Sequence, residues 1–167
     1  DIFRGIPVIL TILLVGFGVP GLGLGRPWNS PYLWGSVALV LAYSSYVAEV
    51  FRAGIESVHE SQRAGARSLG LSSGQTLRFV VLPQAVRRVI PPLMNDFVSL
   101  QKDVALISLI GPIEILRQAG IDKSKFANFT PYVGAAIIFL LLTIPETRFV
   151  DHLMTRERRR TSGTAVR

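Results

Sequence analysis

The chain of 167 residues has no cysteine and few charged residues. The absence of cysteine excludes a disulfide framework, a thiolate nucleophile and a cysteine-ligated zinc site. Only 17% of the residues are charged, whereas an ordinary soluble domain carries about 25%. With 49% hydrophobic residues, the chain is too apolar for a soluble or a disordered protein. It is also strongly basic, with a net charge of +7. The apolar residues and the positive charges must therefore lie in separate parts of the chain.

The sequence also lacks a recognisable catalytic or metal-binding set. Its two histidines, His59 and His152, are widely separated and have no cysteine partner, so neither a metal spacing nor a nucleophile–base pair is visible. Residues 16–21 match the glycine pattern of dinucleotide sites, but Pro20 and the glycines after it interrupt the helix that such a site requires. We therefore expect no enzyme activity, no cofactor and no metal in this chain, and attribute these glycines to packing or a helix end.

Three stretches without any charge predict membrane-spanning helices: residues 5–25, 27–48 and 126–145. A spanning helix needs about 20 predominantly apolar residues. The alternative is a buried helix of a soluble protein, but a domain of this size rarely needs three. With a fourth segment described next, we expect an all-α integral membrane bundle whose spans cover about residues 6–25, 33–51, 86–110 and 129–148.

The fourth segment, residues 89–110, is apolar but carries a polar stripe. At about 100° per residue, five polar side chains fall within roughly 120° of helix surface, and Gln101 is the one polar exception on the apolar side. The stripe consists of Asn95, Asp96, Ser99, Lys102 and Asp103. In a bilayer it must face the bundle interior or a watery cavity. A surface amphipathic helix is the alternative, but the stripe holds both charge signs and is not rich in lysine or arginine.

The positive charges predict the orientation, because lysine and arginine near spans stay cytoplasmic. With four spans, one side receives Arg4, six arginines of residues 52–88 and six of residues 148–167, thirteen in all. The other side receives four. We therefore expect both termini and the central loop in the cytoplasm. The basic run of residues 156–160 resembles a nucleic-acid-binding segment, but next to a span it is better explained by anionic lipid, so no nucleic acid is expected.

The central loop, residues 52–85, is long and patterned, which is unusual for a loop without a function. Residues 61–69 predict a short helix, and Gly70 after it predicts a left-handed C-terminal cap. Ser72 or Ser73 can cap a second short helix through Phe79, with residues 82–83 ending it. The small residues 64–66 allow another backbone to approach closely, so we expect a helical knob that docks into a groove of a partner.

Residues 64–70 (AGARSLG) followed by residues 82–85 (LPQA) resemble the EAA loop of ABC-importer permeases. Further runs narrow the resemblance: residues 3–7, 43–54, 91–97 and 102–106 are similar to the polar amino-acid importer family of bacterial permeases, of the histidine, glutamate and glutamine type. The resemblance covers residues 3–159. It implies a type I ABC-importer permease fold in the bacterial inner membrane.

The resemblance implies partners and a mechanism. A second copy or a sister permease completes the translocation path, and an extracytoplasmic binding protein delivers the amino acid. Two cytoplasmic ATPase subunits bind ATP and magnesium, which agrees with the missing P-loop, and they dock on the EAA helices. The residues carried over to this coupling loop are Ser61, Gln62, Ala64, Gly65, Ala66, Leu69, Gly70, Leu71, Leu82 and Pro83.

The chain departs from the family pattern in three places. Ala64 stands where glutamate is usual, Gly65 where alanine is usual, and Ser61 where glycine is usual. These changes keep the small surface but remove an acidic contact, and Glu60 is the candidate to replace it. Family members usually have another span before the motif at residues 3–7, so we expect such a span to be missing from this chain.

The candidates for the substrate pathway are the ionisable and polar groups inside the predicted spans, namely Glu49 and the polar stripe. An amino acid is a zwitterion, so its carboxylate needs donors and its ammonium needs acceptors. Asn95 and Ser99 suit its backbone-type groups, and Asp96 and Lys102 suit its charges. The alternative is that Lys102 pairs with Asp103 or Glu49 and holds helices together.

Residues 3–7 resemble the glutamate-type members of this family, and that resemblance implies a glutamate-type substrate. Two other classes of function stay open at this point. An ion channel or secondary carrier would use the stripe without ATP but lacks a loop of this kind. A membrane scaffold would leave the stripe unexplained.

Overall fold

The computed structural model describes residues 2–23, 25 and 28–162, and the side chains of residues 4–23, 25 and 28–155. Within those residues the chain is helical and contains no strand, which confirms the all-α prediction. The side chains of the basic run 156–160, residues 26 and 27, and the end of the tail lie outside the described residues. The helices are α1 (Ile2–Gly5), α2 (Val8–Gly18), α3 (Pro31–Glu56), α4 (Glu60–Ser68), α5 (Ser73–Thr76), α6 (Leu82–Asp103), α7 (Ile115–Phe126) and α8 (Thr130–Ser162).

Two of the described helices are long and apolar enough to cross a membrane, namely α3 and the Thr130–Thr155 part of α8. A third crossing results if the bent pair Ser73–Ile110 and Ile115–Phe126, which meet at 50°, counts as one span. The apolar segment Val8–Leu22 is shorter, because the helix breaks ahead of Pro20 and the turn that follows ends at Gly23 with φ 70°. By length, the described residues thus support two or three spans where the sequence predicts four.

Residues 1–45 and 97–147 form one compact unit. Its core contains Ile12, Ala38, Leu39 and Ile110. A Cβ atom added to Gly16 would lie 2.5 Å from Ile110 Cδ1, and one added to Gly35 would lie 3.3 Å from the same atom. Ile110 therefore fills space that glycines leave free on both α2 and α3. This contact explains Gly16 by packing, which is one of the two explanations predicted for these glycines.

We expect Gly16→Ala to destabilise the chain by about 1–3 kcal/mol, because a methyl group there overpacks against Ile110. Ile110→Val removes the Cδ1 atom and should recover part of that loss. The test is thermal unfolding of the detergent-solubilised protein for both single variants and the double variant. Additive losses in the double variant would show that the two side chains do not compete for the same space.

Residues 46–96 and 148–167 form a second compact unit. Its tightest helix crossing is at Gly54 of α3, where an added Cβ would collide with Val89 Cγ1 and lie 3.4 Å from the backbone oxygen of Ala85. Val58, Ala85 and Val89 are buried around this crossing. The C-terminal end of α3 is therefore held directly against α6.

The prediction that residues 82–83 end the second loop helix is wrong. The chain continues from α5 through a π-helical turn, Leu77–Val81, into α6. In the π turn the N–H of Leu82 bonds to the carbonyl of Leu77, so the register has shifted before Pro83, which lacks an N–H. The side-chain amide of Gln84 donates to the Val80 carbonyl at 3.0 Å. Pro83 therefore lies directly after the π turn inside a continuous helical stretch, and its missing N–H leaves one helical hydrogen bond unmade.

Candidate functional site

Helix α4 of the central loop is capped at both ends. The N–H of Ser61 donates to Nδ1 of His59 at 3.2 Å, so the helix begins one residue earlier than predicted. At the other end the N–H of Leu71 bonds to the Ala66 carbonyl at 3.2 Å and that of Gly70 to the Arg67 carbonyl at 3.0 Å. Gly70 has φ 85°. This arrangement is a Schellman cap, and it confirms the predicted left-handed glycine.

The second capped turn follows directly. The Ser72 hydroxyl accepts from the N–H of Gln75 at 3.3 Å, and the N–H of Ser72 donates to the Gln75 side chain at 2.9 Å. This reciprocal pair is a capping box. It confirms Ser72 as the N-cap of α5. Two short helices joined by such a tight turn give the loop a defined shape.

The small residues of α4 do not all face the same way. Ala64 and Gly65 are exposed, whereas Ala66 is 7% exposed and belongs to the core of the second unit. A Cβ atom on Gly65 would meet nothing within 4 Å. Leu69 is 82% exposed at the C-terminal end of the helix. The chain therefore presents a surface of Ala64, Gly65 and Leu69, which we call the α4 surface.

The other predicted loop residues lie on or next to this framework. Ser61 and Gln62 are exposed on α4, and the Gln62 side chain accepts a hydrogen bond from the side-chain amide of Gln84 on α6. Leu71 is half-buried. Leu82 and Pro83 are exposed at the start of α6.

The polar stripe lies on α6, which crosses from the second unit into the first. In the second unit, Asn95 is exposed and Asp96 is half-buried. One carboxylate oxygen of Asp96, Oδ2, is buried without a hydrogen-bond partner in the described part of the chain. In a spanning helix such an oxygen calls for a partner from outside this chain or from water.

In the first unit, Ser99 and Lys102 are exposed and Asp103 is half-buried. Asp103 accepts a hydrogen bond from the Tyr43 hydroxyl on α3 at 2.8 Å. No ion pair of Lys102 with Asp103 occurs among the described residues. The structure therefore gives Asp103 a different partner from the one that the pairing alternative requires.

Glu49, the remaining pathway candidate, pairs with Arg52 one turn along α3. The Arg52 guanidinium donates to both carboxylate oxygens, at 2.8 and 2.6 Å. Arg52 is largely exposed, so this ion pair contributes little to stability by itself.

A further carboxylate within the predicted spans, Glu146 of α8, and its partner Gln101 were not among the predicted site residues. With the side-chain amide of Gln101 turned towards it, the amide nitrogen donates to both oxygens of the Glu146 carboxylate. Glu146 lies within the predicted span of residues 129–148, directly after its charge-free stretch, and the rule that intramembrane carboxylates are functional candidates was the available signal. Among the described residues, no group of three or more histidine, aspartate or glutamate side chains could hold a metal ion.

Two helices long and apolar enough to cross a bilayer, together with a compact capped loop after the first of them, are typical of a multi-pass membrane protein. The family model for the inner membrane component of binding-protein-dependent transport systems matches residues 1–159, and the chain belongs to that family. The resemblance stated from the loop motifs is thereby confirmed.

Individual relatives agree with the family assignment. The chain is 35% identical to a probable glutamine ABC transporter permease protein, GlnM, of Bacillus subtilis, over 93% of this chain and 71% of that protein. It is 32% identical to the arginine transport system permease protein ArtQ of Bacillus subtilis, over 86% of this chain and 65% of that protein. A crystal structure of an amino acid ABC transporter with histidines superposes with a TM-score of 0.85 at 34% identity, covering 93% of this chain and 72% of that one.

These comparisons bear on two predictions. The relatives are permeases, so the prediction of a multi-pass inner membrane component rather than an enzyme is confirmed. The chain spans about two thirds of the length of the curated relatives it matches.

Proposed function

We propose that this chain is the membrane-spanning subunit of an ATP-driven importer for a polar amino acid, and that it couples to a cytoplasmic ATPase through α4. The observation that carries the proposal is the α4 surface: a rigidly capped helix presents Ala64 and Gly65 beside a leucine that is 82% exposed. A leucine so exposed next to residues without side-chain bulk suits insertion into a groove of a partner protein.

The cytoplasmic location of the loop follows from the charge asymmetry of the sequence. Thirteen of the eighteen lysine and arginine residues fall on the side of the central loop and the C-terminus under the four-span topology. The positive-inside rule then gives both termini of this chain a cytoplasmic location. Closure of an ATPase dimer on that side would displace α4, and the helices joined to it would open the path alternately to the two faces of the membrane.

The path itself is proposed to run along the polar stripe of α6. Asn95, Ser99 and Lys102 offer exposed donors and acceptors in a helix that is otherwise apolar, and Asp96 adds a buried unpaired oxygen. Such groups complement the carboxylate and the ammonium of an amino acid. The relatives named for glutamine and arginine and the glutamate-type opening of residues 3–7 make glutamine, glutamate and arginine the first substrates to test.

The proposal also implies partners. A second copy or a sister permease would complete the path, a binding protein would deliver the amino acid from outside, and ATP with magnesium would be bound by the ATPase.

The decisive experiment is uptake into proteoliposomes that contain the full-length permease, its ATPase and its binding protein. We expect uptake of the amino acid to stop when ATP is depleted while the ion gradients are clamped. An empty-liposome control and a hydrolysis-deficient ATPase define the background. Uptake that continues without ATP, and that follows an imposed ion gradient, would identify a channel or secondary carrier instead.

A further inference from the structure

Two arginines bind the end of α3. The Nη2 atom of Arg63 donates to the Ile55 carbonyl at 2.6 Å, and Nη1 of Arg88 donates to the Ser57 carbonyl. The Ser57 hydroxyl donates to the Gly54 carbonyl at 2.6 Å. The last carbonyls of a helix have no partner within the helix. Here the carbonyl of Ile55, in the last turn of α3, and that of Ser57, directly after the helix, accept hydrogen bonds from arginines of other elements.

The two arginines belong to different helices of the second unit. Arg63 lies on α4, and Arg88 lies on α6. The end of α3 is therefore tied to the loop helix by one guanidinium and to α6 by the other. A positive charge is also favourable at a helix C-terminus, where the backbone dipoles leave partial negative charge.

Arg63 points into the unit rather than away from it. Its side chain is half-buried, and its Nε atom is buried without a hydrogen-bond partner among the described residues. Arg67, one turn further along α4, is exposed. The Arg63 side chain thus loses part of its hydration by turning inwards, and it donates a hydrogen bond to the Ile55 carbonyl there.

Further contacts join the same elements. Gln84 of α6 donates to Gln62 of α4, and Gly54 of α3 lies directly against Val89 of α6. The packing at Gly54 leaves little room for α3 and α6 to slide past each other. The hydrogen bond of Arg63 to Ile55 is, by contrast with that apolar packing, a polar contact between α4 and α3.

We propose that Arg63 and Arg88 are positioning residues that fasten α4 and α6 to the end of α3, so that displacement of α4 also moves α3. This inference rests on the proposed role of α4 in coupling. Arginine suits the role because its planar guanidinium offers several donors at a fixed geometry, whereas lysine offers a single flexible ammonium. Without these bonds, a displacement of α4 would not be transmitted to α3.

The test uses the full-length permease with its ATPase and binding protein in proteoliposomes. The variants are Arg63→Gln, Arg88→Gln and the double variant. Arg87→Gln is the matched control, because Arg87 is the neighbouring arginine of α6, is exposed, and makes no side-chain hydrogen bond among the described residues. Three quantities are measured: co-purification of the ATPase, ATP hydrolysis, and amino acid transported per ATP hydrolysed.

We expect the ATPase to co-purify with every variant and the transported amount per ATP to fall at least fivefold in the double variant. Arg87→Gln should stay within twofold of the unchanged protein, and Arg63→Lys should recover part of the ratio. Because the ratio compares transport with hydrolysis in the same vesicles, a lower amount of folded protein does not change it.

Different results separate the two levels of the proposal. If the ATPase does not co-purify with the unchanged permease, the proposed function fails. If it does and the ratio is unchanged in the double variant, or falls equally in Arg87→Gln, the role of the two arginines is overturned. Should the double variant not accumulate, amide hydrogen exchange of α4 in the single variants decides: at least tenfold faster exchange supports the fastening, and unchanged exchange refutes it.

Discussion

Replacing Gly65 with tryptophan is expected to abolish co-purification with the ATPase while the permease still folds and accumulates in the membrane. A Cβ atom on Gly65 meets nothing within 4 Å, so the chain itself has room for a large side chain there. A partner protein that packs closely against the α4 surface leaves no room for that side chain. We expect the loss of affinity to be at least tenfold, which corresponds to about 1.4 kcal/mol.

Gly65→Ala is the matched control for that variant. It adds one methyl group on an exposed helical position, and alanine favours a helix over glycine by up to about 1 kcal/mol. Its co-purification should equal that of the unchanged protein. Gly70 is a poorer test position, because its φ of 85° makes any side chain strained and mixes a folding effect with a docking effect. Normal co-purification with Gly65→Trp would remove Gly65 from the docking surface.

The loop could be predicted well from sequence because its structure follows from local rules. Gly70 adopts the positive φ that the cap of α4 requires, and Ser72 supplies the hydroxyl that caps α5. Both caps have the predicted form. Which residues of α4 face outwards and which face the core was harder to predict. Ala64 and Ala66 are chemically identical, yet one is exposed and the other buried, because the packing of α4 on the rest of the second unit decides which side faces outwards.

The helix that continues through Pro83 could not be predicted from local rules. A leucine–proline pair normally indicates a helix boundary, and here a π turn shifts the hydrogen-bond register so that the helix continues. The buried Val89 at the Gly54 crossing lies further along the same helix, so its packing against α3 depends on the helix continuing past the turn. Tertiary packing thus overrides the local signal.

Partners in the membrane-spanning part were likewise beyond the sequence. Periodicity places Asp103 in the polar stripe, but its hydrogen bond with Tyr43 joins residues far apart in the chain. The same holds for Gln101 and Glu146. A helical wheel indicates which residues share a face of one helix. It contains no information on which side chain of another helix lies opposite, so the pairing of Lys102 and the pathway stayed open alternatives.

The second large effect is expected on the polar stripe, where Asn95→Ala and Ser99→Ala should each weaken substrate binding to the permease at least tenfold. Both side chains are exposed on α6 and make no hydrogen bond among the described residues, so their removal leaves no partner unsatisfied within the described chain. A hydrogen bond to a charged ligand contributes about 1.5–3 kcal/mol, which a tenfold change in affinity already approaches.

The measurement is amino-acid binding to the solubilised permease–ATPase complex without the binding protein, so that the affinity of the binding protein does not mask the effect. Ser44→Ala is the control, because the Ser44 hydroxyl donates to the Leu41 carbonyl of its own helix at 2.9 Å. Unchanged binding in both stripe variants at normal expression would show that the stripe is not the binding surface. Weaker binding in the Asn95 and Ser99 variants, with unchanged binding in the Ser44 variant, would instead favour the stripe as the binding surface.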